Sequence, residues 1–408
     1  MKSFDQQLKK YAELAIQVGI NLQKGQLLYI SAPVQSAEFT RIVVETAFAN
    51  GAKDVYVEWH DEHVRHARLH SADLTALTDI PDWMLDRRLE YAQKNGAFLH
   101  ILAEDPELMK DVDPTRIAAM MKHLRQKLSP AIEYTMSSIV AWSIVAIPTT
   151  AWATKVFAHS EDAVEKLWEA IFKVTRINQE DPIAAWKSHV ESLKTRKDLL
   201  NEMHFTSLHF ISEGTDLKIT LPDKHYWQGG AKNNAVGTSF VANIPTEEVF
   251  TLPARSGVNG TVKSTMPLNY MGNLIEGITL TFKDGKVVDY AATSGFEVLK
   301  GLLETDEGAL HLGEVALVPY HSPISDLGIL FYNTLFDENA ACHLAFGRAY
   351  PTSLVGGPEM SEEDRIKEGA NHSLIHIDFM IGGPDTEITG LLTDGKTVQI
   401  FKDGNWAL

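Results

Sequence analysis

Cysteine is almost absent from this chain of 408 residues, with Cys342 standing alone. A single cysteine excludes an intrachain disulfide and a cysteine-built metal site. Positive charge is scarce too: 37 Lys and Arg face 54 Asp and Glu, for a formal net charge of −17. Affinity for a phosphate backbone comes from clustered cations, so nucleic acid is excluded as a partner. No apolar run is suited to crossing a bilayer. The most apolar stretch, MSSIVAWSIVAIPTTAWATKVF, is broken by Pro148 and several hydroxyl residues, and reads as a buried strand and its loop. The opening, MKSFDQQLKKYAELAIQVGINLQKGQ, is an amphipathic helix pattern without the uninterrupted apolar core of a signal peptide. A cytoplasmic protein with no membrane partner is expected. Long internal repeats and low-complexity segments are also missing.

What is present is a globular composition, 44% hydrophobic and 22% charged, on a chain long enough for two or three ordinary domains. The first half alternates strands and helices. QLLYISAP, KDVYVEWHD, AFLHILAED and SIVAWSIVAIP read as buried strands, and SAEFTRIVVETAFANGA as a helix stopped by Gly51. Another helix follows Asp113 as cap and Pro114 at its first position. This predicts a doubly wound α/β domain over 1–203 with a parallel sheet. No glycine fingerprint follows its first strand, so a dinucleotide site is not expected there. Beyond a helical connection, short strands and the Asp-Gly turns of KDGK and TDGK take over, with a few helices such as FEVLKGLLETDEGA. Residues 204–408 are expected to form an α+β domain, mainly antiparallel, that carries the chemistry.

Four segments of that second half set metal-ligand side chains among apolar or small neighbours. They are NIPTEEVFTLP with Glu247 and Glu248, HLGEVALVP with Glu314, NAACHLAFGRAYP with His343 and Tyr350, and HIDF with His376 and Asp378. In residues 371–382, NHSLIHIDFMIG, period-two alternation gives one face Ser373, Ile375, Ile377, Phe379 and Ile381, almost wholly apolar. The other face receives His372, Leu374, His376, Asp378 and Met380. Each signal has a plain alternative: a solvated His-Asp pair, an exposed acidic turn, a satisfied core histidine, a packed tyrosine. Read together as ligands, three carboxylates and two histidines suit Zn, Co, Mn or Mg. That set exceeds the roughly three protein ligands of one open catalytic zinc. It fits two divalent metal ions about 3.5–4 Å apart that share one carboxylate, with Asp378 the natural bridge if His376 and Asp378 aim at one point.

PTEEVFTLP, LGEVALVP, SPISDLGILFYNTLFDENAACHLAFGRAYP and HIDFMIG, in this order, resemble the signature segments of the thermophilic-type metallo-aminopeptidases. The likeness extends to KGQLLYISAP in the first half. The resemblance implies that Glu248, Glu314, His343, His376 and Asp378 ligate two divalent metals and that Tyr350 is the active-site tyrosine. It implies an N-terminal α/β domain, a C-terminal domain bearing the site, a homodimer, and release of N-terminal amino acids from peptides with a free N-terminus. The adjacency of Asp378 favours His376 over His372 as ligand. Tyr350 is expected to hydrogen-bond the developing oxyanion. Glu247, next to a ligand but unable to point the same way, is the expected proton shuttle, with Glu314 as the second choice. Phe331, Tyr332, Phe336 and Phe346 are core by default, or else line a side-chain pocket. The alternatives are a non-catalytic two-domain metal-binding protein and, from the His-x-Asp pattern, a non-haem iron oxygenase.

Overall fold

Strands buried on both faces read as continuous apolar runs, and in the first half such runs build a parallel sheet. In the computed structural model, which describes residues 3–408, these are β1 (Leu27–Pro33), β2 (Asp54–His60), β3 (Ala97–Leu102) and β4 (Trp142–Ala146). They lie in the order β2-β1-β3-β4, every pairing parallel. Strand order reverses beside β1, which with right-handed crossovers sends helices to both faces. The sequence signals for these helices hold locally. Ala37–Ala49 stops short of Gly51, whose φ is +91°, and the Asp113 carboxylate accepts the Thr115 N–H at 2.9 Å at the start of Pro114–Met136. The opening helix covers Phe4–Leu14 and passes into a π-helical turn, Ala15–Gly19; Met1 and Lys2 of the expected helix lie outside the described residues.

By its internal contacts the chain divides into two units. One takes the residues up to Ser192 together with Gly230–Thr246; the other takes Leu193–Gly229 and Glu247–Leu408. The first unit thus takes back a segment from beyond residue 203, and the helix Pro182–Met203 carries the chain across the division. No helix among the described residues is long and apolar enough to cross a membrane.

The second unit is mainly antiparallel. An eight-stranded sheet contains Thr279–Lys283 and Lys286–Ala291, joined through Asp284 and Gly285 at φ +50° and +81°. Those are the angles a tight hairpin asks of Asp-Gly. A five-stranded sheet is formed by β5 (Gln228–Gly229), β6 (Val249–Thr251), β7 (Leu312–Leu317), β8 (His343–Gly347) and β9 (His376–Met380). Each of its strands pairs antiparallel with the next in sequence. The helix expected over FEVLKGLLETDEGA is shorter, Phe296–Leu303, followed by a separate turn, Glu307–Leu310. The break has a local cause. The Asp306 carboxylate accepts the Ala309 N–H at 2.9 Å and also ties down the approach to β9 through Ser373 Oγ at 2.7 Å and the Leu374 N–H at 2.6 Å.

Candidate metal centre

Side chains opposite one another on neighbouring strands share a face of the sheet, and the register sorts the candidates by that rule. Glu314 of β7 and Asp378 of β9 both pair with Ala345 of β8, one from each side. His376 pairs with Gly347, and His343 pairs with Ala316 and Met380. Phe250 also pairs with Ala316, which puts Glu248, two residues earlier, on the same side. Glu248, Glu314, His343, His376 and Asp378 therefore project from one face, above a floor of small residues. The other face supplies Val249, Val315, Leu317, Leu344, Phe346 and Phe379 to the hydrophobic core. The mixed character of residues 371–382 follows: Ile375, Phe379 and Ile381 anchor the strand so that His376 and Asp378 are held rigidly.

Two glycines make this arrangement possible. Leu312 faces Phe346 while Glu314 faces Ala345, so Gly313 is an extra residue in β7. The bulge sends Leu312 into the core and Glu314 to the opposite face, which plain alternation does not allow. A Cβ on Gly313 would lie 2.4 Å from the Arg348 backbone. Gly347 has φ +92°, and a Cβ there would meet the Ile375 carbonyl at 2.2 Å.

The polar atoms converge as two triads sharing one residue: Glu248, Glu314 and His343, then Glu314, His376 and Asp378, the ligand atoms of each lying within 4.8 Å of one another. His343 Nε2 is 3.0 Å from Glu248 Oε2 and 3.5 Å from Glu314 Oε1. His376 Nε2 is 3.7 Å from Glu314 Oε2 and 3.6 Å from Asp378 Oδ1. Bonds of about 2.0–2.2 Å to one tetrahedral ion set neighbouring ligand atoms roughly 3.3–3.6 Å apart, so these separations suit a coordination shell. Each oxygen of Glu314 faces a different histidine.

The tautomers agree. His343 Nδ1 lies 3.1 Å from the Ala341 carbonyl and His376 Nδ1 lies 2.7 Å from the Arg348 carbonyl. A carbonyl only accepts, so both Nδ1 atoms carry hydrogen and both Nε2 atoms point into the cluster, where each offers a lone pair to a cation once its own proton is gone. His343 Nε2 and Asp378 Oδ1 are buried there without a satisfied hydrogen bond. Such orphaned atoms among clustered carboxylates are what a divalent cation satisfies, and the donor set fits one.

Electrostatics tell the same story. Burial raises the pKa of Glu314, and repulsion from Glu248 and Asp378 adds to it, against the lowering pull of His343 and His376. Burial draws His343 down, but the carboxylates of Glu248 and Glu314 more than reverse this and hold it well above the ordinary range. Tyr350, in edge contact with His376 at 4.7 Å between ring centroids, is pushed well above its usual value by burial and then by the facing carboxylates. Its hydroxyl therefore keeps its proton.

Other candidates fall elsewhere. His372 turns away to Glu362, at 3.0 Å. Glu247 is buried, with its N–H donating to Asn339 Oδ1 at 2.7 Å, and belongs to neither triad. Phe331 and Phe336 stack at 4.7 Å and Phe346 stacks on Phe379 at 4.4 Å, all fully buried, so these three are core. Sequence reasoning passed over Glu338, a buried carboxylate whose charge acts on Asp378, Glu248, His343 and Glu314. A signal was available: the polar triplet Asp337-Glu338-Asn339 sits between Leu335-Phe336 and Ala340-Ala341. Three polar residues inside an apolar run require internal partners.

Asp337 shows what such partners do. Its two carboxylate oxygens accept the N–H groups of Phe331 and Asn333, each at 2.9 Å, which fixes the loop before the site. Burial outweighs these bonds and raises its pKa from 3.8 to about 7. Its contribution to stability is full below the unfolded value and is lost as pH rises through the folded one. We therefore expect the melting temperature of Asp337→Asn, measured against wild type at pH 5 and pH 8, to improve relative to wild type at the higher pH. Two pH units separate pH 5 from the folded value of about 7, so the relative change in stability between the two conditions is at most about 3 kcal/mol. A difference that stays constant with pH would remove this account.

With the geometry in hand, comparison with known proteins gives concordant results. The family model described as thermophilic metalloprotease (M29) matches residues 4–406. The chain is 49% identical to aminopeptidase 2 of Geobacillus stearothermophilus, over 100% of this chain and 99% of that one. It is 48% identical to aminopeptidase AmpS of Bacillus subtilis (strain 168), over 100% of both. Among solved structures, wild-type AmpT from Thermus thermophilus superposes with a TM-score of 0.90 at 40% identity, covering 100% of each chain.

Proposed function

The chain belongs to the thermophilic metalloprotease (M29) family and is a metallo-aminopeptidase, and from that premise we propose that it works through two divalent ions held on the polar face of β6–β9. Glu248, Glu314 and His343 would hold one ion; Glu314, His376 and Asp378 would hold the other. The observation that carries this reading is the sharing of Glu314, one oxygen toward each histidine, between two ligand triads. In this reading Glu314, rather than Asp378, is the carboxylate common to both. The iron-oxygenase alternative has no use for the two glutamates, and the aminopeptidase relatives leave no ground for a non-catalytic metal protein.

Bound in these positions, divalent ions supply Lewis acidity for the scissile carbonyl and acidify water near neutral pH. The residues of the chain do the rest. Nδ1–H bonds from His343 and His376 to backbone carbonyls fix both rings, so the ligand positions are set before substrate arrives. The Tyr350 ring packs edge-on against His376 and its hydroxyl keeps its proton, which supports a role as donor to the oxyanion that develops from the carbonyl. The clustered carboxylates favour the substrate's free α-ammonium group over a neutral cap.

The test uses chelator-stripped protein and a panel of aminoacyl-p-nitroanilides, with Zn, Co, Mn or Mg added back and N-acetylated substrates alongside. We expect metal to restore chromophore release and the acetyl group to abolish it. Cleavage of acetylated substrates at the same rate would end the exopeptidase reading. Failure of every metal to revive cleavage would end the metal mechanism.

A further inference from the structure

Apart from the metal centre, the second unit holds a cavity of about 580 Å³ that shares no residue with either triad. Four of its lining side chains are cations, Arg255, Lys283, Lys286 and Lys367, and two are acids, Asp284 and Glu307. On a chain where acids outnumber bases by 54 to 37, that balance runs against the trend. A concave surface with a surplus of one charge concentrates ions of the other.

Two of these cations stand against their own repulsion. Lys283 and Lys286 pair directly across the hairpin that joins Thr279–Lys283 to Lys286–Ala291. Opposite residues of an antiparallel pair share a face, with Cβ atoms about 4.5–5.5 Å apart, and like charges there are destabilising. Lys367 is drawn to Asp364 at 3.0 Å and Arg255 to Glu307 at 3.5 Å. Among the described residues neither hairpin lysine pairs with a carboxylate. The fold also holds the hairpin tip still. The Gly285 N–H donates to the Val258 carbonyl at 2.8 Å, and the Asp284 N–H to Asn259 Oδ1 at 2.9 Å. A Cβ on Gly285 would strike the Arg255 carbonyl at 1.8 Å, so the tip sits directly on the Arg255 segment.

The groups behind the lysines are fixed as well. Arg255 Nε donates to Asn371 Oδ1 at 3.1 Å, and the buried Asn371 donates in turn to the Gly308 and Gly347 carbonyls. His311, also buried, donates from Nδ1 to the Arg255 carbonyl at 3.0 Å. Burial lowers the His311 pKa, and the charges of Arg255 and Lys286 lower it further, so the imidazole already lies in a positive field. Val288 and Ile366 add exposed apolar side chains to the same lining.

We propose that this cavity binds a small phosphate-bearing ligand, with the phosphate group held by Lys283, Lys286 and Arg255. A phosphate monoester carries about 1.5–2 negative charges at pH 7, which two adjacent ammonium groups match better than they match one carboxylate. Its oxygens accept charge-assisted hydrogen bonds from the lysines and from the guanidinium. The volume falls within the roughly 300–1,000 Å³ of small-molecule sites, and Val288 and Ile366 offer surface for an organic body.

The experiment is calorimetric titration of metal-loaded protein, in phosphate-free buffer, with inorganic phosphate and with phenyl phosphate. Wild type is compared with K283A/K286A, with K283R/K286R, and with K24A/K53A, which removes two exposed lysines elsewhere. Metal content is read in each by mass spectrometry. We expect wild type to bind and K283A/K286A to bind at least about tenfold more weakly at unchanged metal content. K283R/K286R and K24A/K53A should retain binding. If the double variant fails to fold, K283A and K286A are read singly, and weaker binding is expected in each. Tighter binding of phenyl phosphate assigns an organic phosphate, and equal or tighter binding of inorganic phosphate assigns the free ion; either supports the site. Absence of binding by wild type would overturn it. So would unchanged affinity in K283A/K286A, which would place phosphate at the metals, or an equal weakening in K24A/K53A, which would reduce the effect to net charge.

Discussion

Replacing Glu314 with alanine should remove both metal ions, whereas replacing His343 should remove one. Glu314 is the residue the two triads share, and its oxygens lie 3.5 Å from His343 Nε2 and 3.7 Å from His376 Nε2. Without it, the first position keeps Glu248 and His343 and the second keeps His376 and Asp378, each a pair where an open catalytic site needs about three protein ligands. His343→Ala leaves Glu314, His376 and Asp378 intact, so the second position should still fill. Lewis acidity and acidified water supply several kcal/mol of transition-state stabilisation, and each 1.36 kcal/mol is tenfold in rate. Activity of Glu314→Ala should therefore fall by about 10³ or more. Metal content after dialysis against chelator-free buffer is the deciding measurement. One ion retained at wild-type affinity in Glu314→Ala would show that Glu314 is not shared.

Tyr350→Phe should have the second largest effect, of a different kind. The hydroxyl is held protonated by its burial and by the carboxylates it faces, so its chemical value is as a hydrogen-bond donor. Loss of one donor to a developing oxyanion typically lowers kcat by about 10²–10³. The ring contacts with His376 at 4.7 Å and Phe250 at 5.7 Å survive in phenylalanine, so the histidine stays in place. Metal content should be unchanged and KM should move little, since the interaction strengthens only as charge develops on the oxygen. A Tyr350→Phe enzyme that loses metal would assign the tyrosine to holding the site. One that turns over normally would remove it from the chemistry.

Much of the fold was legible because its signals are local. Uniform apolar runs announced the strands of the parallel sheet, and Asp113-Pro114 and Gly51 marked helix ends through backbone geometry that depends on few neighbours. The Asp-Gly turns marked hairpins for the same reason. The helix expected over residues 296–309 was too long because Asp306 finds partners in Ser373 and Leu374, far along the chain. Its side chain is better satisfied outside a helix, and nothing within the segment shows that.

The candidate site divides along the same line. Sequence by itself determined which side chains are unusual: carboxylates and imidazoles in apolar strands, and one strand with an anchoring face and a ligand-bearing face. Those are properties of residue type and of a period of two. Only the tertiary structure decided which of them meet. The bulge at Gly313 turns Glu314 out of the core, Ala345 separates Glu314 from Asp378 across three strands, and the turn of Glu338 packs against β9. The presence of Glu314 in both triads and of His376, not His372, beside it are matters of distance between residues tens of positions apart. Register and packing fix such distances, and strand alternation alone does not.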